Sequence, residues 1–202
     1  VPDRLPTELR EIIRQFPAGA LQFEIGIQTF NPEVQQRISR RQDDAKTVAA
    51  LTWLVQQAQA HLHTDLIFGL PGESLASFAQ GFDKLYALGP HEIQLGLLKR
   101  LRGTPIARHT AMHGMVYDPL PPYAVQATAV LSAAEVQQFT HMARYWDIVA
   151  NSGRYQQAMA LLMAGADSPF HRFWQFSHAL YSATHTTFGL TPEMLIDFLF
   201  EH

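Results

Sequence analysis

The sequence predicts an α/β protein: a partial (β/α) barrel of three parallel β/α units, followed by an all-helical C-terminal extension. Three strand-like segments alternate with helical ones, namely LQFEIGIQTF from residue 21, HLHTDLIF from residue 61 and HEIQLGLL from residue 91. Successive strands begin about 30 to 40 residues apart, which is typical of parallel strands joined by helical crossovers. We expect residues 1–110 to form the barrel part and residues 111–202 the extension.

Cap residues and apolar periodicity predict the helices in order. A short helix, TELREIIRQ, precedes the first strand with Thr7 as its cap, and Asn31 with Pro32 is a typical start for the next. Two crossover helices then carry apolar stripes, at Val48, Leu51, Leu54, Val55 and Ala58 and at Leu75, Phe78, Phe82, Leu85 and Leu88. Ser132 and Glu135 predict a capping box for a long helix of the extension. Beyond Gly103 we expect no further strand.

The three strands divide their side chains in the same way. Side chains alternate across a strand, so residues two apart share a face. One face is polar and carries Glu24, Gly26 and Gln28, then His61, His63 and Asp65, then Glu92, Gln94 and Gly96. Because an open sheet covered by helices on both sides would be apolar on both, a curled sheet with a polar, ligand-holding interior fits better. The alternative is an antiparallel sheet whose polar face is wetted by water.

Composition and charge narrow the classes of function. The 202 residues are 47% hydrophobic and 16% charged, which is typical of a globular protein with a sizeable core. The formal net charge of -3 provides no basic field for nucleic acid or an anionic membrane. No segment approaches the roughly 18 apolar residues of a membrane span, and the first residues lack a signal-peptide pattern. We therefore expect a cytoplasmic protein without nucleic-acid or membrane partners.

Motifs on these strands resemble those of one superfamily. EIGIQTFNPEVQQRISRRQD, TDLIFGLPGES and LLKRLRGTPI resemble the second half of a radical S-adenosylmethionine (radical SAM) core, as found in oxygen-independent coproporphyrinogen oxidase. They are more similar still to radical SAM proteins with an N-terminal cobalamin-binding domain, a group that includes the anaerobic magnesium-protoporphyrin IX monomethyl ester oxidative cyclase. PPYAV and ARYWDIVANSGRY resemble the helical extension of one branch of that group. The resemblance implies part of an oxidoreductase.

The resemblance also implies which side chains would hold S-adenosylmethionine (SAM). Gln28 would contact its ribose or methionine end, Arg40 would pair with its carboxylate, and Asp65 would accept hydrogen bonds from the ribose hydroxyls. A guanidinium grips a carboxylate through paired, charge-assisted bonds. Glu24 and Gln94, on the same polar face, complete the candidate set, and no catalytic residue is assigned. Simpler interpretations remain: Arg40 as a surface arginine, and Gln28 and Asp65 as braces for neighbouring loops.

The chain departs from this superfamily in having no cysteine. Radical SAM chemistry requires a [4Fe–4S] cluster held by three cysteines, usually spaced CxxxCxxC. We therefore interpret the chain, which begins at Val1, as a fragment that is inactive alone, with the [4Fe–4S] cluster and cobalamin expected only in the full-length parent. Its exposed strand edges should be covered by the missing N-terminal half or by a second copy of the chain. The resemblance implies a small-molecule substrate, with a tetrapyrrole as the candidate.

Weaker signals give no further site. His61 with His63, and His109 with His113, have ligand-like spacing, but neither pair has the glutamate of HExxH or a clear third ligand, so no metal site is predicted. Large aromatic residues of the extension are interpreted first as core and second as substrate contacts; they are Tyr145, Trp146, Phe170 and Trp174. The rival function is a non-catalytic helical docking module on an α/β scaffold.

Overall fold

A computed structural model describes residues 3–201. The outer limits of the predicted ranges 1–110 and 111–202 therefore lie outside the described residues, at Val1, Pro2 and His202. The elements of the first part are α1 (Thr7–Ile13), β1 (Leu21–Gln28), α2 (Pro32–Arg37), α3 (Asp44–Gln57), β2 (Ala60–Phe68), α4 (Leu75–Ala87) and β3 (Glu92–Leu97). A 3₁₀ turn (Pro105–His109), β4 (Val116–Tyr117), β5 (Val125–Ala127), α5 (Ala133–Trp146), a π-helical segment (Asp147–Asn151), α6 (Gln156–Met163), α7 (Pro169–Thr184) and α8 (Pro192–Glu201) follow.

The main sheet has three parallel strands in the order β1-β2-β3, which confirms the predicted β/α units. Along β2 the side chains alternate strictly between buried and half-buried, and the buried ones face the helices. The opposite face carries the polar side chains of all three strands. The parallel pairing excludes the antiparallel alternative and gives the polar residues a common surface.

Local capping explains where the helices begin. The Asn31 side chain accepts hydrogen bonds from the backbone N–H groups of Glu33 and Val34, with Pro32 at the first helical position. Ser132 and Glu135 form the predicted capping box of α5. The apolar stripe that follows this capping box is buried throughout, at Val136, Phe139, Met142, Trp146 and Val149.

The beginning of the extension is not helical, contrary to expectation. β4 and β5 form a two-stranded antiparallel ribbon, and Lys99 forms an isolated bridge with Ala124 that joins this ribbon to the chain leaving β3. The backbone N–H of Val125 donates to the carbonyl of Leu98. Strands of two and three residues are too short to show a period of two, so the sequence pattern did not reveal them.

The first helix also differs from its prediction. It ends at Ile13 instead of residue 15, and Pro6, not Thr7, occupies its N-cap position. Of its apolar side chains Ile13 is buried, whereas Leu9 and Ile12 are exposed. The helix therefore presents apolar side chains to solvent next to β1, the first strand of the sheet.

One hydrophobic core joins the sheet to the extension. Its buried residues come from both predicted parts of the chain, including Phe68 of β2, Phe82 of α4, Phe139 of α5 and Phe173 of α7. Tyr145, Trp146 and Phe170 are buried in it and Trp174 packs against it, which confirms the first interpretation of these aromatic residues. None of the helices in the described part of the chain is both long and apolar enough to cross a membrane.

Candidate functional site

Strand register arranges the polar face in two rungs. The first rung, nearer the amino ends of the strands, places Glu24, His63 and Glu92 side by side. The second rung, two residues further along, places Gly26, Asp65 and Gln94 side by side. Two residues of a strand advance by about 6.6 Å, so the two rungs are neighbours on one surface.

Gln28 reaches the second rung through an irregularity at the end of β1. A register shift lies between Gly26 and Gln28, and Gln28 has a positive φ of 70°. A Cβ atom at Gly26 would lie 2.7 Å from Gln28 Nε2 and 3.7 Å from Asp65 Oδ2. Only a glycine therefore leaves room for the Gln28 amide beside the Asp65 carboxylate. Left-handed backbone at a non-glycine residue is often found at functional sites.

Asp65 carries an unused acceptor beside the Gly26 notch, which we define as the space over Gly26 in which the Gln28 amide lies. Its Oδ1 is buried and has no hydrogen-bond partner among the described residues. Burial raises the pKa of Asp65, the negative charge of Glu24 raises it further, and His63 and Arg40 act in the opposite direction. A buried carboxylate oxygen without a donor is costly, so the arrangement favours a ligand that donates hydrogen bonds.

Arg40 lies beside the same notch but is partly committed. Its Nη2 donates to the carbonyl of Gly26, and its Nε donates to Gln42 Oε1 at 2.9 Å. Burial lowers the pKa of Arg40, while the charges of Asp3 and Asp65 raise it. The half-buried guanidinium is thus more than a surface arginine, although two of its donors already serve the protein itself.

A pocket of about 410 Å³ adjoins the notch and runs beside β1. Arg4, Glu24 and Arg40 contribute its charged lining, and Gly26 borders it. Its apolar lining comes from α1, α3 and β1 and includes Leu9, Ile13, Phe23 and Leu51. Since β1 is the terminal strand of the described sheet, the pocket is open along that strand.

The structure therefore brings together three of the five candidate residues and places the other two beside them. Gln28, Arg40 and Asp65 surround Gly26. Gln94 is exposed on β3 opposite Asp65, and Glu24 is exposed one rung below, where Gln22 Nε2 donates to its Oε1 at 3.5 Å.

The sequence patterns did not identify Glu92 as a partner of His61 and His63, because that contact depends on strand register. Glu92 lies 3.0 Å from His61 and 3.3 Å from His63, measured from Oε1 to the Nε2 atoms. The alternation of side chains along each strand predicted that all three residues share one face. The register of β3 against β2 depends on tertiary contacts and could not be predicted from the local sequence. A second missed group is Glu73, whose buried carboxyl joins the ends of β1 and β2.

The fold is similar to that of a solved structure. A three-stranded parallel sheet with helices on one face and a polar second face, followed by helices, is similar to part of a radical SAM enzyme. The solved structure titled "Coproporphyrinogen III oxidase (HemN) from Escherichia coli is a Radical SAM enzyme" matches with a TM-score of 0.51. The match covers 69% of this chain and 29% of that chain at 21% identity, and it concerns the fold alone.

Sequence comparisons lead to the same superfamily. Anaerobilin synthase from Escherichia coli O157:H7 is 32% identical over 91 residues, which are 45% of this chain and 20% of that protein. Oxygen-independent coproporphyrinogen III oxidase from Synechocystis sp. is 36% identical over 81 residues, 40% of this chain and 17% of that protein. Heme chaperone HemW from Mycobacterium tuberculosis is 29% identical over 91 residues, 45% of this chain and 23% of that protein. These matches support the radical SAM superfamily.

The matched segments are short relative to the proteins they match. The chain spans about a fifth of the length of these curated relatives. A family profile described as "Protein of unknown function (DUF4080)" matches residues 111–198.

Two groups implied by the superfamily fit these residues differently. The unpartnered Asp65 oxygen and the Gly26 notch suit a ligand with hydroxyl donors, as in the ribose of SAM. A [4Fe–4S] cluster requires thiolate ligands, and the chain has no cysteine. The residues present therefore fit SAM and do not fit the cluster.

Proposed function

We propose that this chain forms the SAM-binding strand ends of a radical SAM oxidoreductase of the cobalamin-dependent, oxidative cyclase-like type. Gln28, Arg40 and Asp65 bind the cofactor around Gly26, with Glu24 and Gln94 flanking it. The cluster cysteines come from residues outside these 202, so the chain alone does not carry out the reaction. The superfamily matches support the cofactor, and the motif resemblance supports the cobalamin-dependent type.

The unpartnered oxygen of Asp65 carries this proposal. In the second rung, Oδ1 of this carboxylate has no partner among the described residues, and Oδ2 lies beside the Gln28 amide over Gly26. Two vicinal hydroxyls of a ribose are matched donors for such a carboxylate, and charge-assisted bonds of this kind are the strong ones. In this proposal Arg40, on the β1 side of the notch, pairs with the carboxylate of the methionine moiety through the donors that do not already bond Gly26 and Gln42.

The proposed substrate is a tetrapyrrole. Coproporphyrinogen and heme appear in the names of the matched relatives. The buried aromatic residues of the extension belong to the core, so the substrate would contact the polar face and the open pocket beside β1. A segment that completes the barrel, or a second copy of the chain, would cover that pocket.

Titration of SAM into Asp65→Asn and wild-type chains tests the site. Asparagine keeps the shape but replaces a charged acceptor, and hydrogen bonds to charged groups contribute about 1.5–3 kcal/mol each. We expect at least a tenfold loss of affinity for SAM and for adenosine, measured by calorimetry, with methionine binding unchanged. Asp167→Asn, at an exposed position, is the matched control. Equal affinity of both variants for adenosine would contradict the assignment of Asp65.

The gene tests the wider proposal separately. The reading frame that contains these codons should also encode a CxxxCxxC motif and a cobalamin-binding domain before Val1. A reading frame with the cysteine motif but no cobalamin-binding domain would be consistent with the proposed SAM site and would contradict the assignment to the cobalamin-dependent type. A frame without the cysteine motif would contradict the radical SAM function.

A further inference from the structure

A second cluster of potential ligand side chains consists of His63 and Glu92 in the first rung and of His61, two residues nearer the amino end of β2. His61 and His63 project from the polar face of β2, and Glu92 lies opposite them at the start of β3. The side chains of His61, His63 and Glu92 are 43%, 14% and 25% exposed, so the cluster is half-buried and reachable from solvent. SAM binding does not use the two histidines or Glu92.

The geometry of these three side chains suits a metal ion. Their candidate ligand atoms all lie within 4.8 Å of one another, and Glu92 Oε1 is 3.0 Å and 3.3 Å from the two imidazole Nε2 atoms. Metal–ligand distances of about 2.0–2.2 Å for zinc bound to nitrogen and oxygen imply ligand separations of roughly 3–3.5 Å in a tetrahedral site. Two of the three separations already have that size, and the third does not exceed 4.8 Å.

The surroundings of His63 add an independent observation. Its Nδ1 is buried without a hydrogen-bond partner among the described residues, and Glu24 Oε1 lies 3.8 Å from it. Histidines that bind metals commonly donate their other ring N–H to a carboxylate, which fixes the ring and strengthens the ligand. Glu24 is placed to do this for His63 when Nε2 is the ligand.

His61 is held from its other side by His91. The two rings lie 4.6 Å apart between centroids, and His91 Nδ1 accepts a hydrogen bond from the backbone N–H of Leu62. That bond orients the His91 ring, and the contact between the two rings limits the side-chain rotation of His61. Both histidines of the cluster therefore have a neighbour that limits their rotation, as a preorganised site requires.

We propose that His61, His63 and Glu92 form a binding site for a divalent transition-metal ion of the zinc type. Two imidazoles and one carboxylate are a donor set that zinc and related ions accept, and three protein ligands leave a position for water or another ligand. The three ligands are not among the side chains proposed to bind SAM, and Glu24 borders both sites. Without a metal, the same cluster is a set of hydrogen-bonded histidine–glutamate contacts.

Cobalt binding to the intact 202-residue chain tests the site. Co²⁺ reports its own coordination through visible absorption, and Zn²⁺ should displace it and abolish the bands. We expect one Co²⁺ per chain, at least a tenfold loss of affinity in His63→Ala, and a similar loss in Glu92→Gln. His113→Ala is the matched control, since it alters the other histidine pair, where Arg108 Nε donates to His109 Nε2.

Two milder variants keep the test decisive if His63→Ala disturbs folding. His61→Gln changes a half-exposed side chain, and circular dichroism should show an unchanged fold while Co²⁺ affinity falls at least tenfold. Glu24→Gln retains all three ligands, and its expected loss is about 10–100-fold, as for other residues that orient a ligand. Absence of stoichiometric Co²⁺ binding, or an equal loss in His113→Ala, would overturn the proposal and leave hydrogen-bonded contacts only.

Discussion

Glu73 is a carboxyl group placed in an apolar environment at the end of β2. The residue is 2% exposed; its Oε1 accepts hydrogen bonds from the hydroxyls of Thr29 and Ser77, and its Oε2 has no partner among the described residues. Burial raises its pKa to about 7, while the two hydroxyl donors act in the opposite direction. Thr29 directly follows Gln28, so the charge state of Glu73 affects the loop next to the candidate SAM site.

Stability should depend on pH through this carboxyl group. The folded-state pKa of about 7 exceeds the ordinary value of 4.5, so the native state holds the proton more tightly between these two values. The free energy of unfolding therefore falls as pH rises through that window. Relative to Glu73→Gln, which imitates the protonated form, the wild type should lose about 2–3 kcal/mol between pH 5 and pH 8.

Urea denaturation of both proteins at each pH measures this difference. Glu11→Gln is the control, because the Glu11 side chain is 62% exposed and forms an exposed ion pair with Arg14, which directly follows α1. Its stability difference from the wild type should stay constant over the same range. A constant difference for Glu73→Gln as well would show that Glu73 is already ionised at pH 5 in the folded protein.

Single residues show where sequence-based prediction works and where it stops. Asn31 and Ser132 could be assigned as caps because a cap depends on residues three positions away. Gln28 could be placed near the cofactor only through resemblance, since the register shift that turns its side chain over Gly26 depends on the neighbouring strand. Glu92 was missed as a partner of two histidines for the same reason.

At the scale of elements, the π-helical segment protects the outer edge of the sheet. Asn151, the last residue of that segment, uses its side-chain amide as a substitute for a neighbouring strand: its Nδ2 donates to the carbonyl of Ile93 at 3.1 Å, and its Oδ1 accepts from the N–H of Ile93 at 3.2 Å. Exposed strand edges are sites of unwanted pairing. The extension thus supplies hydrogen-bond partners for the backbone of Ile93 at the β3 edge, whereas the β1 edge borders the open pocket.

Replacing this amide should loosen the β3 edge. Asn151→Ala removes both hydrogen bonds to Ile93, and leaving such backbone groups unsatisfied costs about 1–3 kcal/mol. Chemical denaturation should show that loss, and hydrogen exchange of the Ile93 amide should become faster. Gln157→Ala, at an exposed position of α6, should change neither. Unchanged exchange at Ile93 in Asn151→Ala would mean that water replaces the side chain without cost.

The β/α units were predictable because their signals are local and repeated. Apolar periodicity located α3 and α4, and alternation located β1 to β3. The ribbon of β4 and β5 and the π-helical segment were not predictable, because both arise from pairing with distant backbone at Leu98 and Ile93. Features that depend on tertiary contacts leave little trace in a short window of sequence.

At the scale of the whole molecule, the larger of two hydrophobic clusters is shared between the sheet and the helices of the extension, which bears on the choice between functions. Phe139 of α5 stacks on Phe68 of β2 with ring centroids 4.0 Å apart. Phe78 of α4 contacts the Phe139 ring edge-on, with ring centroids 5.3 Å apart. A docking module able to act alone would need a core of its own. Because the extension buries its central helix against the sheet, the shared core favours one structural unit over a separable helical module.

This unit should unfold in a single transition that depends on the contact between sheet and extension. Phe139 is fully buried, and replacing a buried phenylalanine with alanine costs about 3–5 kcal/mol. We expect Phe139→Ala to lower stability by that amount while far-UV and near-UV circular dichroism still change together. Phe200→Ala, whose ring is on a residue that is 75% exposed in α8, is the control and should change stability little. If near-UV signals from Trp146 and Trp174 were lost at lower denaturant than the far-UV signal, the two parts would unfold separately, and the helical docking module would regain support.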